Sequence, residues 1–229
     1  MTECYDSRCL VRCARFKRPS ANYRVRPLWQ CHHIPCDYYL PIQRPNMLLT
    51  YNDLLVLVEE GVIENVDPAN INGASIDLTL GATLQVEEVP FEGWPVIDLQ
   101  SKDSIHTARV LLDPTEYYDL HPGEFVLAQT QEIFHLPTTI AAEFKLKSSA
   151  ARAGLDHHLA GWADPGWHGS VLTLELKNNT QHHVLRIRPG MKIGQMVFWR
   201  GEAVPDDASY AVRGQYNHDK EATANKGIR

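Results

Sequence analysis

Residues 47–229 contain no cysteine; all five, Cys4, Cys9, Cys13, Cys31 and Cys36, precede them. That excludes a disulfide framework for the main body and suits a reducing, cytoplasmic setting. Long apolar runs are missing too. The longest purely aliphatic stretch is Leu54–Val58, far short of the roughly 20 residues that span a bilayer, so no membrane partner is expected. No charged-then-apolar leader opens the chain. Zinc-dependent deamination needs H-x-E and P-C-x-x-C. None of the eleven histidines is followed two positions later by glutamate, and Pro35-Cys36 runs into Asp37-Tyr38-Tyr39. A G-x-S-x-G nucleophile elbow and a Walker phosphate loop are likewise absent.

Charge divides the chain near Met47. The net charge of −6 is the sum of +5 over residues 1–46 and −11 over the remainder. The acidic part argues against a general nucleic-acid binder, which needs a basic surface. For the first segment, Arg8, Arg12, Arg15, Lys17 and Arg18 suggest a basic arm. Cysteines with His32 and His33 suggest zinc, although no C-x2-C pair occurs. Glu3 and Asp6 weigh against a transit peptide. The reading adopted is a basic, cysteine-rich extension outside the catalytic unit, because it lacks the apolar content to fold alone. The 183 residues from Met47 suffice for one core.

From there the pattern is mostly strand. Thr50 and Asp53 mark a helix start, Leu54, Leu55 and Val58 its apolar face, and Gly61 its stop. Ile76, Leu78 and Leu80 then alternate with Asp77 and Thr79 up to Gly81. Further strands are predicted at 124–128 after His121-Pro122-Gly123, at 171–176 before Asn178-Asn179, at 185–188, and at 193–198 after Pro189-Gly190. A second short helix is predicted at 148–153. Many short strands with Gly/Pro turns predict a mainly antiparallel β-sandwich or barrel. The tail from Arg213 is polar and is expected to be mobile.

One block concentrates chemistry, 145–175. Ser148 and Arg152 stand i and i+4 on a helical turn, and Lys147 with two hydroxyls at a helix start offers a phosphate cradle. Glu175 interrupts an apolar strand, so it either faces solvent or is buried beside a cation. Lys147 and Arg152 could equally be surface charges, and Trp162 and Trp167 packing residues.

Ser148-Ser149-Ala150-Ala151-Arg152-Ala153-Gly154, Asp164-Pro165-Gly166-Trp167-His168-Gly169 and Leu174-Glu175 resemble motifs of the dCTP deaminase family, a branch of the trimeric dUTPase-like superfamily. The stretches 74–81, 122–128 and 188–195 match as well, and the resemblance runs from Met47 to about Tyr216. It implies a distorted antiparallel β-barrel or jelly roll with a few short helices. It also implies zinc-free conversion of dCTP and water to dUTP and ammonia for dUMP and dTTP synthesis, with Mg2+ held through the triphosphate.

By the same resemblance, Glu175 is the general base that activates water against C4 of cytosine. Arg152 pairs with it, and Ser148 positions water and substrate. Lys147, Ser149, Ala150 and Ala151 line the phosphates. Asp164 lies near the sugar. Thr173 and Leu174 offer backbone groups to the pyrimidine, and Gln195, Tyr210 and Tyr216 approach the nucleotide. The implied assembly is a homotrimer with active sites between subunits, a tail from about 210 to 229 folding over nucleotide, and dTTP as a candidate inhibitor. Two alternatives stand beside this: a bifunctional enzyme that also cleaves dUTP to dUMP and pyrophosphate, and a catalytically weak nucleotide-binding regulator. The tail departs from the family where Gln215 replaces a phosphate-binding lysine and Asp219 an amide.

Overall fold

The computed structural model describes residues 47–228 except 92 and 103. The extension 1–46, with its basic-arm and zinc readings, lies outside the described residues.

The first helix, α1 (Tyr51–Glu59), forms where its signals stand. The Asp53 carboxylate accepts from the Thr50 N–H at 3.3 Å, filling part of the need left by unpaired helix-start donors. Leu54 and Leu57 carry the buried face, and Gly61 closes the turn at φ +71°, a conformation that suits glycine.

The strands then build two principal sheets, antiparallel at every pairing. One joins β1 (Met47–Leu48), β3 (Ile76–Thr79), β8 (Ile140–Leu146), β10 (Trp162–Ala163) and β13 (Lys192–Arg200), with β13 between β1 and β8 and also paired to β3. The other runs in the order β5 (Thr107–Leu111), β4 (Thr83–Glu87), β7 (Phe125–His135), β11 (His168–Asn178), β9 (Leu155–Asp156), with β2 (Ile63–Glu64) added to β7. A small ribbon pairs β6 (Tyr118–Leu120) with β12 (Leu185–Ile187). This is a jelly-roll-like double sheet rather than a closed barrel, and it bears out the mainly β expectation. Short helices α2 (Ser148–Arg152) and α3 (Tyr210–Arg213) complete it.

The alternation in β11 sets the whole arrangement. Leu172, Leu174 and Leu176 point into the core, at 7%, 0% and 0% exposure, each contributing roughly 1.5–3 kcal/mol of apolar burial. Thr173 and Glu175, out of phase with them, face the other side. Two irregularities adjust the β7–β11 ladder. Gly169, at φ +69°, is an extra residue between the pairs His168↔His135 and Ser170↔Phe134. Farther along, Val171 pairs with Ile133 and Thr173 with Gln129, so Leu172 faces Thr130, Gln131 and Glu132. The Thr130 hydroxyl accepts from the Leu172 N–H at 3.0 Å, and its backbone bridges to Leu80 at the end of β3. One strand thus ties the two sheets together, as corner bulges do.

Candidate active site

On the outward face of β11, Glu175 stands opposite Leu127 of β7, next to Phe125. These apolar neighbours strip water from the carboxyl. Burial therefore raises its pKa from the usual 4.5 to about 6, a backbone hydrogen bond opposing only in part. Across from it sits His157, just after β9, with its Nε2 3.3 Å from Glu175 Oε2. Burial lowers the imidazole's pKa from 6.5 to about 4, aided by His158 and opposed by Asp156. At neutral pH the histidine is uncharged and the glutamate ionised, so the contact is not an ion pair. Nor is it an aligned hydrogen bond: His157 Nε2 and Glu175 Oε2 are both buried without a hydrogen-bond partner. Buried polar atoms are rarely left so. Glu175 lines a cleft while His157 lies buried behind it, so the carboxyl is left short of donors where a ligand or a reacting water can reach it.

The cleft has a volume of about 540 Å³, within the range of small-molecule sites. Thr173, Glu175, Tyr210 and Tyr216, all expected from sequence, line it together with Trp167 and Asp219. The tail forms its outer wall. Trp167 Nε1 donates to the Tyr216 carbonyl at 2.7 Å, Val171 N–H to the Asp219 carbonyl at 3.0 Å, and Thr223 N–H to Thr173 Oγ1 at 3.2 Å. The segment expected to be mobile thus runs docked along β11, held by backbone groups.

Other expected residues lie elsewhere. Leu174 belongs to the core through its side chain. Asp164 is not among the residues lining the cleft and accepts from Trp162 Nε1 at 2.8 Å. Lys147 has a partner within the chain: its Nζ is 2.6 Å from Oδ1 of the buried Asp77, and Asp77 also takes Asn72 Nδ2 at 2.8 Å and has Lys192 Nζ at 3.6 Å. Gln195 accepts from Ser75 Oγ at 3.3 Å near the same cluster. Ser148, Ser149, Ala151 and Arg152 are exposed on α2, and Ala150 packs against the core. The pairing of Arg152 with Glu175 is not formed within the chain. α2 packs on β9, which pairs with the Lys177–Asn178 end of β11, and Arg152 faces solvent. His157, which this chain itself sets beside Glu175, is the chief residue that sequence reasoning missed. His157-His158 offered no spacing signal, because the contact depends on how the chain turns after β9.

No helix among the described residues is long and apolar enough to cross a membrane. The two antiparallel sheets define the class, a mainly β protein of jelly-roll type. The family model described as dCTP deaminase-like matches residues 48–201. A Nocardioides protein named dCTP deaminase, dUMP-forming, is 42% identical over 157 residues, covering 67% of this chain and 80% of the relative. A protein of the same name from Methanoregula boonei is 38% identical over 165 residues, covering 72% and 87%. Among solved structures, the 2'-deoxycytidine 5'-triphosphate deaminase of Agrobacterium tumefaciens superposes with a TM-score of 0.54 at 19% identity, over 72% of this chain and 51% of that one, a likeness of fold. The chain belongs to the dCTP deaminase-like family.

Proposed function

We propose that the protein is a bifunctional enzyme that takes dCTP and two waters to dUMP, ammonia and pyrophosphate. The single observation behind the deaminase half is the ionisable, half-buried Glu175, which lines a nucleotide-sized cleft and has one buried oxygen without a partner. The second half, cleavage of the triphosphate, is supported by the dUMP-forming relatives and displaces accumulation of dUTP as the main reading.

With a pKa of about 6, Glu175 is mostly ionised at neutral pH yet basic enough to take a proton from water as that water attacks C4. The same carboxyl then hands protons to the departing amine. Neutral His157 offers a donor or an acceptor alongside. Trp167, Tyr210 and Tyr216 close the cleft against bulk solvent. Ser148 and Arg152, exposed in one chain, are supplied to the cleft by a second copy in a homotrimer. Such a closed three-fold ring joins the same two different patches at each interface. Mg2+ accompanies the triphosphate and neutralises its charge. The phosphates and water are the natural oxygen ligands of the ion.

The test is incubation with dCTP and Mg2+, with products resolved by chromatography. Formation of dUMP, pyrophosphate and ammonia is expected. Accumulated dUTP would restrict the enzyme to deamination, and tight binding without turnover would make it a regulator.

A further inference from the structure

The tail carries an ion pair that the reaction does not require. Lys226 Nζ lies 2.8 and 3.0 Å from the two oxygens of Asp219, 3.0 Å from the Gln215 carbonyl, and 4.8 Å from the Tyr216 ring centroid. Both side chains are largely withdrawn from water, at 30% and 19% exposure, so neither is indifferent to losing its partner.

The pair also occupies a telling position. Asp219 lines the Glu175 cleft, where its backbone docks on Val171 and on Ser170 Oγ. Lys226 lines a second cleft of about 610 Å³ on the other side of the tail, with Lys102, Gln100 and Gln215. None of the described residues lining this second cleft carries a carboxylate. Val171 is four residues from Glu175, about 13 Å along the strand at 3.3 Å per residue. A pyrimidine held at Glu175 and extended along β11 therefore sends its charged end toward Asp219 and Lys226.

We propose that Lys226 is the phosphate-contacting cation of the tail, and that Asp219 holds it in the empty site until the polyphosphate displaces the carboxylate. The proposal rests on the nucleotide reading above. A polyphosphate offers the ammonium several acceptor oxygens and more than one negative charge, against the single charge of Asp219. A nucleotide with one phosphate carries its charge close to the sugar and lacks the reach to compete. The exchange would thus reward triphosphates over monophosphates, and would let the tail stay docked on β11 through its backbone while its cation changes partner.

Calorimetric titration of Glu175→Gln protein with Mg2+ and either dCTP or dCMP tests this without turnover. Adding Lys226→Gln should weaken dCTP binding by about tenfold or more, as for loss of a charge-assisted hydrogen bond, and change dCMP binding by less than about twofold. Lys226→Arg should retain most of the dCTP affinity. Asp219→Asn should tighten dCTP binding several-fold, and that gain should vanish when Lys226→Gln is also present. An equal loss for dCTP and dCMP would reduce Lys226 to a tail clasp and overturn the proposal. So would unchanged dCTP binding in Lys226→Gln, or weaker binding in Asp219→Asn. Failure of the Glu175→Gln parent to bind either nucleotide would instead overturn the nucleotide reading itself.

Discussion

Asp77 and Glu175 are both withdrawn carboxylates on strands, and the protein treats them in opposite ways. Asp77 has a lysine at 2.6 Å, a second at 3.6 Å and an amide donor at 2.8 Å. Glu175 faces a neutral imidazole and has an oxygen with no partner. Glu132, wholly buried, marks a middle case: its oxygens accept from the Thr79 N–H at 3.1 Å and hydroxyl at 2.8 Å, with burial raising its pKa. A carboxylate that fastens the fold is given all the donors it needs. One left short of them, in a cleft, is kept ready for something that arrives later.

The sharpest way to break this contrast is Glu175→Gln. Ammonia release from dCTP should fall by about 10²–10⁴-fold, the usual contribution of a positioned general base, while nucleotide binding persists. Substantial residual activity would remove Glu175 from its role. Asp77→Asn should cost stability instead, about 1–3 kcal/mol for spoiling a buried charged hydrogen-bond set, read in urea or guanidinium melts; an unchanged midpoint would show Asp77 to be dispensable to the fold.

The pH dependence separates the two further. The folded pKa of Glu175, about 6, exceeds its ordinary 4.5, so the native state binds this proton more tightly. That contribution to stability is full below pH 4.5 and is lost as pH rises through 6. Above that, the ionised group costs about 2 kcal/mol at 1.36 kcal/mol per pKa unit. Glu175→Gln should therefore be more stable than wild type at pH 7–8 by up to that amount, with the gap closing toward pH 4.5 in paired denaturant titrations. Activity should follow the opposite limb, half-maximal near pH 6 and rising with pH. The smallest effect is expected from Trp167→Phe. It deletes the donor to the Tyr216 carbonyl and should cost about 1 kcal/mol of tail docking, seen as faster limited proteolysis of the C terminus.

Much of this was legible in residue order. Thr50, Asp53 and Gly61 bounded α1, and the alternation around Leu174 placed Glu175 on the non-core face. The predicted strand at 171–176 fell inside β11 and that at 124–128 began one residue ahead of β7, and both strands proved to have eleven residues. Two-residue strands such as β2 and β9 carry too little pattern to announce themselves, because pairing rather than propensity creates them. The site was legible only where one element supplied it. Tyr210 and Tyr216 reach the cleft through the docked tail, whereas Lys147, read as a phosphate ligand, is committed to Asp77, seventy positions earlier. Sequence distance hid that partner, and it hid His157 from Glu175 in the same way.

The bulge at Thr130–Glu132 has one more implication, a matter of parity. β7 spends three residues where β11 spends one, an excess of two, and a strand alternates its faces with period two. The even count lets the ladder resume beyond the bulge with inside still inside, so Leu127 remains a wall of the cleft opposite Glu175. Removing only Gln131 would make the count odd and turn Phe125–Gln129 over, trading core for surface along five residues. Removing a pair would preserve orientation while severing the link to Leu80.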